Sequence, residues 1–233
     1  MRAPRLVTFD VYMALLDIEG SLTPVVSEVL AIADDKARDL VRIWRAKQME
    51  RAAISNSIAK GRTSFRDATA MGLDYAAWKA RIAIPPAVRD RLLQEWDALA
   101  PWPEANAVVR GVKEMGLPIA ILSNGDTDML EAAAGAFDTG FDYILSSDQA
   151  DVYKPHPAIY ALAETTLGIS TKDVLHVAGS PNDVLGAVAA GITCIWSNRH
   201  GERLLDPDYP PACEVADLNG VLDYLRALPV TAG

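Results

Sequence analysis

The sequence predicts an α/β fold in which a doubly wound parallel sheet carries a helical domain inserted after its first strand. Three observations predict it. Short apolar runs recur along the chain, segments with helical periodicity lie between them, and a long block near the N-terminus has almost no strand-like run. Because a parallel sheet needs a crossover between neighbouring strands, strands that alternate with helices are typical of it.

Five apolar runs are predicted to be buried strands, since each is short and is followed by turn-forming or polar residues. They cover residues 6–9, 118–122, 143–145, 174–178 and 193–196. The helices between the later strands are predicted from their periodicity at residues 105–115, 127–136, 156–167 and 182–190. The sheet domain therefore comprises residues 1–15 and 100–233.

Residues 16–99 are predicted to form the inserted helical domain, because they are rich in Ala, Arg, Leu and charged residues. Helices are expected at residues 21–33, 35–53 and 86–99, with interruptions at Gly61 and at the Pro85-Pro86 pair. A Pro-Trp-Pro segment at residues 101–103 marks the return to the sheet domain.

Composition excludes several classes of function. The 233 residues include 22 Lys and Arg against 31 Asp and Glu, so a net charge of -9 argues against a nucleic-acid partner. Cys194 and Cys213 show no zinc or disulfide spacing, which fits a reducing compartment. With no long hydrophobic segment and no cleavage-site pattern, we expect a cytoplasmic protein without a membrane partner.

Polar residues of chemical interest follow several predicted strands. Asp10 follows the first strand, Ser123 and Asn124 follow the second, and Asp183 lies after a later one. Lys154 lies in a loop that can reach the same edge. Because ligands of open α/β sheets bind beyond the carboxyl ends of the strands, we expect one cleft there, with Asp10 placed as a nucleophile.

Each of these residues, taken alone, has an ordinary structural explanation. An Asp after a strand usually caps a turn or a helix, and an Asp in a first helical turn complements the helix dipole. Ser and Asn beside Gly are common in turns, and a lone Lys is usually a solvated surface charge. The combination, rather than any single residue, indicates a site.

The order Asp10, Ser123, Lys154 and Asp183 at successive strand ends resembles the haloacid dehalogenase superfamily over essentially the whole chain. Longer segments resemble the L-2-haloacid dehalogenases in particular. These are Phe9-Asp10-Val11-Tyr12, Trp44-Arg45-Ala46-Lys47-Gln48, Ile121-Leu122-Ser123-Asn124-Gly125, Val152-Tyr153-Lys154-Pro155 with Tyr160, and Asn198-Arg199. The resemblance implies a Rossmann-like core with residues 16–99 as its cap domain.

The resemblance also implies a hydrolase that converts a short (S)-2-haloacid to a 2-hydroxy acid. Asp10 would attack the carbon that bears the leaving group, and water would cleave the resulting aspartyl ester. The leaving halide would be bound by Arg45 and Asn124. The substrate carboxylate would lie against Ser123 and nearby backbone N–H groups, with Lys154 adding attraction.

For the water-dependent step, the resemblance implies that Asp183 orients or activates the water, helped by Lys154 and by Ser180. Val11, Tyr12 and Tyr160 would shape the pocket, although tyrosines that only pack and form hydrogen bonds are an equal alternative. The three histidines lie on different elements without ligand spacing, so we predict structural roles for His156, His176 and His200.

No metal or other cofactor is expected. Phosphatases of the superfamily carry a second Asp at the position of Tyr12 and another acid at the position of Gly179, and this chain lacks both. Asp10 and Asp183 alone would hold a divalent cation poorly, because such ions take several oxygen ligands. Lys154 near the two carboxylates supplies positive charge instead.

Two departures from the dehalogenases bear on the water-dependent step. The family has Gly-Thr where this chain has Met13-Ala14, and Ser-Ser-Asn at residues 178–180, where it has Ala, Gly and Ser. Three alternatives therefore stay open: a dehalogenase with a rearranged water network, a C–N bond hydrolase acting on a strained cyclic amino acid such as azetidine-2-carboxylate, and a binding protein without catalysis. The family resemblance favours a homodimer.

Overall fold

Six parallel strands form a single sheet in this computed structural model, which describes residues 3–58 and 60–229. The strands are β1 (Leu6–Phe9), β2 (Ile119–Ser123), β3 (Tyr143–Ser146), β4 (Val174–Ala178), β5 (Thr193–Ser197) and β6 (Cys213–Val215). The five predicted strands and the α/β fold class are confirmed. Strand β6 was not predicted, because this short edge strand is only partly buried and lacks an apolar run.

The strand order is β3-β2-β1-β4-β5-β6, so β1 lies between β2 and β4. Phe9, the last residue of β1, is opposite Ile121 on one side and Val177 on the other. The chain moves outward from β1 in one direction for β2 and β3, and in the other for β4 to β6. The end of β1 is therefore the topological switch point, where open α/β sheets bind their ligands.

Strands β1, β2 and β4 are buried along their whole length, which explains their nearly continuous apolar sequences. Two internal positions break the pattern. Thr8 and His176 are polar and fully buried, and they are direct neighbours in the β1–β4 register. A pair of polar side chains inside an apolar sheet must satisfy its hydrogen bonds locally.

The chain divides into two compact units, Asp17–Ala100 and Met1–Leu16 with Pro101–Gly233; residues 1–2 and 230–233 lie outside the described part. The first unit contains α1 (Ile18–Leu30), α2 (Asp34–Ser55), α3 (Phe65–Ala80) and α4 (Pro86–Gln94). Helix α3 was not predicted. A side chain at its Gly72 would lie 2.8 Å from the carbonyl oxygen of Trp44, so glycine allows α2 and α3 to pack closely.

The sheet unit adds α5 (Ala105–Glu114), α6 (Thr127–Ala134), α7 (Ser147–Ala150), α8 (Pro157–Tyr160), α9 (Leu162–Leu167), α10 (Pro181–Ala189) and α11 (Asn219–Ala227). The helix predicted at residues 156–167 is divided in two at Ala161. Helix α11 was not predicted. Within residues 3–58 and 60–229, no helix has both the length and the apolar character to cross a membrane.

Candidate active site

Asp10 is the first residue after β1 and starts a π-helical turn over Val11–Leu15. Its backbone N–H donates to the carbonyl of Val177 at 2.9 Å, which anchors it to β4. Its Oδ2 accepts a hydrogen bond from the N–H of Met13 at 3.0 Å, and its Oδ1 accepts one from Ser123 Oγ at 2.9 Å. The sheet edge therefore holds a nearly buried carboxylate in one orientation.

Lys154 lies between the two carboxylates that the sequence singled out. Its Nζ is 3.3 Å from Asp10 Oδ1 and 2.9 Å from Asp183 Oδ2, and its side chain is almost completely buried. Burial disfavours the charged ammonium, but the carboxylates of Asp183 and Asp10 outweigh burial and raise the pKa of Lys154 above its ordinary value. The lysine therefore stays protonated and bridges the two acids.

Asn124, which follows β2, is oriented by the backbone of the loop that carries Lys154. Its Oδ1 accepts a hydrogen bond from the N–H of Lys154 at 2.8 Å. Because an N–H can pair only with the oxygen of the amide, the assignment of the two amide atoms follows from this contact. The N–H groups of Asn124 Nδ2 are therefore directed away from Lys154.

Asp183 lies in the first turn of α10, and three side chains donate to its carboxylate. Tyr160 donates to Oδ1 at 2.8 Å, while Lys154 and His176 reach Oδ2 at 2.9 and 3.0 Å. Burial alone would raise the pKa of this carboxyl group, but Lys154 and His176 hold it below its usual range. Asp183 is therefore ionised and fixed about its side-chain bonds. Ser180, which caps α10, accepts from the backbone N–H of Asp183 at 3.4 Å.

Tyr160 reaches Asp183 because α10 has a glycine beside it. A side chain at Gly186 would lie 2.3 Å from the hydroxyl oxygen of Tyr160. Burial, and after it the charge of Asp183, raises the pKa of Tyr160 well above its ordinary value, so the hydroxyl remains a donor. Gly186 belongs to no motif that the sequence analysis used, and only the packing of α8 against α10 shows its role.

His176 was predicted to be structural, and the structure places it in this cluster. Its Nε2 contacts Asp183, and its Nδ1 lies 2.8 Å from Thr8 Oγ1. His156 instead caps α8, and His200 contacts the ring of Trp102 edge-on. In the sequence, Thr8 and His176 are polar residues within apolar runs, which could have indicated a buried polar pair. Only the strand register shows that they are neighbours.

The two departures from the dehalogenase motifs meet in space. A Cβ at Gly179 would lie 2.2 Å from the carbonyl carbon of Met13 and 2.3 Å from the backbone nitrogen of Ala14. The loop after β4 therefore packs directly on the backbone of the turn that follows Asp10. Gly179 and the altered residues Met13 and Ala14 are therefore in direct contact, and this contact leaves no room for a side chain at position 179.

Val11 and Tyr12 are buried beside the nucleophile candidate. The N–H of Val11 donates to Ser123 Oγ at 3.3 Å, so the Ser123 hydroxyl accepts from one residue and donates to Asp10. Tyr12 packs near Gly125, where an added Cβ would lie 3.3 Å from its ring. Because a hydroxyl has one proton, a substrate carboxylate at Ser123 would compete with Asp10 for it.

Arg45 belongs to the helical unit. Its Nη1 donates to Gln48 Oε1 at 2.6 Å, and its guanidinium lies 5.7 Å from the ring centre of Trp96. Trp44 and Gln48, its motif neighbours, both donate to Thr69 of α3, at 2.7 and 2.6 Å. Trp44 and Gln48 thus join α2 to α3.

The arrangement of acids does not fit a divalent cation. The described residues contain no cluster of three or more His, Cys, Asp or Glu side chains placed to hold a metal. Instead, an ammonium group contacts both carboxylates. What the site offers chemically is an oriented Asp10 carboxylate group, a second carboxylate that is ionised, and hydrogen-bond donors on both.

Comparisons with known proteins identify the family. The model of the haloacid dehalogenase-like hydrolases matches residues 4–191. The chain is 32% identical over 203 residues to haloacetate dehalogenase H-2 of Moraxella sp. (strain B), covering 86% of this chain and 88% of that one. It is 31% identical over 221 residues to (S)-2-haloacid dehalogenase H-109 of Pseudomonas putida, covering 94% and 96%.

A solved structure agrees with this result. The crystal structure of an L-2-haloacid dehalogenase superposes with a TM-score of 0.88 and 31% identity, covering 97% of this chain and 100% of the other. Because the family model spans most of the chain and these relatives match almost end to end, the resemblance inferred from the motifs is confirmed. The chain belongs to the haloacid dehalogenase-like hydrolases.

Proposed function

We propose that this protein hydrolyses short (S)-2-haloacids to 2-hydroxy acids through an ester of Asp10, without a metal ion. The observation that carries the proposal is the arrangement of Asp10, Lys154 and Asp183, in which an oriented nucleophile and a second carboxylate share one buried ammonium. The (S)-2-haloacid dehalogenase relatives support the choice of substrate class.

In the first step, a lone pair of Asp10 Oδ2 attacks C2 of the substrate, the new C–O bond forms, and the halide leaves with the electrons of the C–X bond. We assign the attack to Oδ2 because Oδ1 is bound by two side-chain donors, Ser123 and Lys154, which lower its nucleophilicity. The oxygen of Asp10 thereby becomes an ester oxygen.

In the second step, water adds to Cγ of the ester, and its proton passes to Asp183. Oδ1 is then the carbonyl oxygen on which negative charge develops, and the donors of Ser123 and Lys154 already point at it. Collapse of the tetrahedral intermediate expels the 2-hydroxy acid, whose oxygen takes up the proton held by Asp183. The added hydroxyl group loses its own proton to solvent, which restores the Asp10 carboxylate. The overall change consumes one water and releases one halide and one proton.

The remaining roles stay proposals that the motifs support. Asn124 presents N–H donors to the leaving halide, because its Oδ1 is committed to the backbone of Lys154. Arg45 is assigned to the same halide on the strength of the motif around it. Ser180 assists the water, and Val11 and Tyr12 line the pocket with buried surface. Residues 16–99, which nearly coincide with the compact unit Asp17–Ala100, are proposed to be the cap domain.

Three substrates separate the candidate activities. We expect chloride release from L-2-chloropropionate in excess chelator, whereas ring opening of azetidine-2-carboxylate would favour a C–N bond hydrolase. Turnover of p-nitrophenyl phosphate that requires added magnesium would overturn the metal-free proposal. The absence of turnover with all three substrates would favour a binding protein without catalysis.

The covalent route has its own test. A single turnover in heavy-oxygen water should leave unlabelled oxygen in the product, because the product oxygen comes from Asp10 and the water oxygen stays on the enzyme. Label that appears in the product of the first turnover would show direct attack by water. The labelled atom should then be found in the peptide that contains Asp10.

We also propose that the protein is a homodimer. Met71, Tyr75 and Trp78 follow one face of α3 at helical spacing, and the described chain leaves 47%, 38% and 72% of these residues exposed. Light scattering should give twice the chain mass, and Trp78→Glu should shift it toward the mass of one chain. A wild-type mass of one chain would contradict the proposal.

A cytoplasmic location is proposed on the state of the cysteines. Cys194 and Cys213 are both free in the structure, as a reducing compartment allows. Fractionation of the native source should recover the protein with cytoplasmic markers. Recovery with secreted proteins would contradict it.

A further inference from the structure

His176 and Thr8 form a chain of contacts that ends on Asp183. The imidazole is fully buried in β4, Thr8 is fully buried in β1, and the strand register makes them direct neighbours. Thr8 Oγ1 lies 2.8 Å from His176 Nδ1, and His176 Nε2 lies 3.0 Å from Asp183 Oδ2. Hydroxyl, imidazole and carboxylate thus follow one another across two strands and the start of α10.

The chemistry of the groups decides which imidazole nitrogen carries a proton. An ionised carboxylate can only accept, so the contact at 3.0 Å requires a proton on His176 Nε2. The ammonium of Lys154 lies 3.4 Å from the same nitrogen and is also a donor. The two groups therefore do not bond to one another, and both direct their protons at Asp183 Oδ2. Thr8 holds the other ring nitrogen, which fixes the plane of the ring.

Asp183 is the group that must be aimed accurately in the water-dependent step. Ala178 and Gly179, which end β4 and begin the loop before α10, have no polar side chain to hold a water. Ser180, the polar residue that follows them, accepts from the backbone N–H of Asp183, so the position of the water depends chiefly on the direction of the Asp183 carboxylate. With Tyr160 on Oδ1, and with Lys154 and His176 on Oδ2, that direction is set by three donors.

We propose that His176, oriented by Thr8, is a positioning residue that aims Asp183 at the hydrolytic water and so controls cleavage of the ester, but not its formation. This inference rests on the proposed function. Formation of the ester depends on Asp10, whose carboxylate is held by Ser123, Lys154 and Met13 and has no bond to the imidazole among the contacts described above. Lys154 supports both carboxylates, whereas the imidazole contacts Asp183, so a change at His176 should act mainly on the second half-reaction.

The test is rapid quenching of the enzyme with L-2-chloropropionate, followed by mass spectrometry of the intact protein, which measures ester formed and ester cleaved. His176→Phe keeps an aromatic ring but removes both nitrogens. We expect ester cleavage to slow by about 100-fold, as small misplacements of reacting groups do, while ester formation changes by less than about 3-fold. The ester of Asp10 should accumulate, and kcat should fall more than kcat/KM.

Two further variants protect the test against a folding defect in the first. His176→Gln places an amide N–H near the position of Nε2, so it should restore most of the cleavage rate. Thr8→Val keeps the shape of Thr8 and removes only its hydroxyl, so it should slow the same step by about 3- to 10-fold. Equal slowing of both steps in these variants would show a purely structural role and overturn the inference.

Failure of the inference is distinguishable from failure of the proposed function. Wild-type protein that never carries an ester on Asp10 contradicts the proposed function and the inference together. Wild-type protein that forms and cleaves the ester, with unchanged cleavage in His176→Phe and Thr8→Val, contradicts the inference alone.

Discussion

Two regions of this molecule match dehalogenase motifs, and the structure uses them differently. At the sheet edge, Asp10, Lys154 and Asp183 contact one another and form a charged cluster. In the helical unit, Trp44 and Gln48 donate to Thr69 and hold α2 against α3. A motif match identifies a family in both cases, but the contacts decide whether a motif residue is placed for chemistry or for packing.

A third motif match also contains a residue that is placed for packing. Arg199, which the sequence analysis counted among the matching residues, pairs with Glu104 and lies 4.2 Å from the ring centre of Trp102. These contacts connect the segment after β5 with the segment before α5. Arg199 therefore holds two segments of the sheet unit together.

The largest expected effect is on turnover, and it distinguishes Asp10 from Asp17, two aspartates in the same kind of local structure. Asp10 and Asp17 each start a helical turn and accept from the backbone N–H three residues on, at 3.0 and 2.8 Å. Asp10→Asn removes the nucleophile and should reduce turnover on the order of 1000-fold or more. Asp17→Asn should leave turnover unchanged, and its unfolding free energy should change by less than about 0.5 kcal/mol, since Asn caps as well as Asp.

Halide release and denaturant unfolding measure both variants. Substantial turnover in Asp10→Asn would refute the assignment of the nucleophile. A large loss in Asp17→Asn would instead show that any change to a cap disturbs the site.

The next effect tests the contact between the loop after β4 and the turn after Asp10. Gly179→Ser introduces a Cβ at 2.2 Å from the carbonyl carbon of Met13, so the backbone must shift and the unfolding free energy should fall by about 1–3 kcal/mol. Gly140→Ser is the matched control, because nothing lies within 4 Å of its Cβ, and it should change stability by less than about 0.5 kcal/mol.

Urea unfolding of the two serine variants gives the comparison. If Gly179→Ser is as stable as wild type, the loop adapts easily and the packing argument fails. A Gly179→Ser variant that is as stable as wild type would also leave the glycine at this position without an explanation from packing.

A smaller effect is expected in the helical unit. Trp44→Phe loses the indole N–H that donates to the carbonyl of Thr69 at 2.7 Å, together with part of a buried ring. The unfolding free energy should fall by about 1–2 kcal/mol, with kcat within about 2-fold of wild type. Tyr209→Phe, at a position in the sheet unit that is 37% exposed, should change stability by less than about 0.5 kcal/mol.

Chemical unfolding and steady-state kinetics on the same preparations check this expectation. A large fall in kcat with unchanged stability would mean that Trp44 acts in the reaction. The contrast between the two regions would then disappear.

The smallest effect concerns pH. Burial alone would raise the pKa of Asp183, but Lys154 and His176 hold it below the ordinary value of 3.8. As pH falls, the unfolded chain takes up this proton before the folded chain does, so stability present above about pH 4 is lost on acidification. The unfolding free energy of wild type should fall more between about pH 5 and pH 3 than that of Asp183→Asn, which has no carboxyl group to titrate.

Urea unfolding at several pH values measures the two slopes. Parallel slopes for wild type and Asp183→Asn would show that Asp183 keeps an ordinary pKa. The carboxylate would then be less strongly bound by its donors than the distances indicate.

Sequence patterns predicted most of the fold, because the buried strands are short continuous apolar runs and the strand ends carry the polar residues. The predictions failed where the local signal is weak. Strand β6 is a short, partly exposed edge strand, and α3 depends on Gly72 to approach α2. Strand β6 has no apolar run. The buried face of α3 does have helical spacing, but Thr69 and Gly72 interrupt its apolar residues, so the apolar signal there is weak.

The sequence by itself determined the family, the position of Asp10 after a strand, and the set of charged residues at the sheet edge. Only the tertiary structure decided that Lys154 joins Asp10 to Asp183, that Gly179 packs on Met13, and that Thr8 and His176 support Asp183. The physical reason is that these contacts join residues far apart in the chain. Strand register and helix packing set their distances, and no local sequence pattern encodes a register.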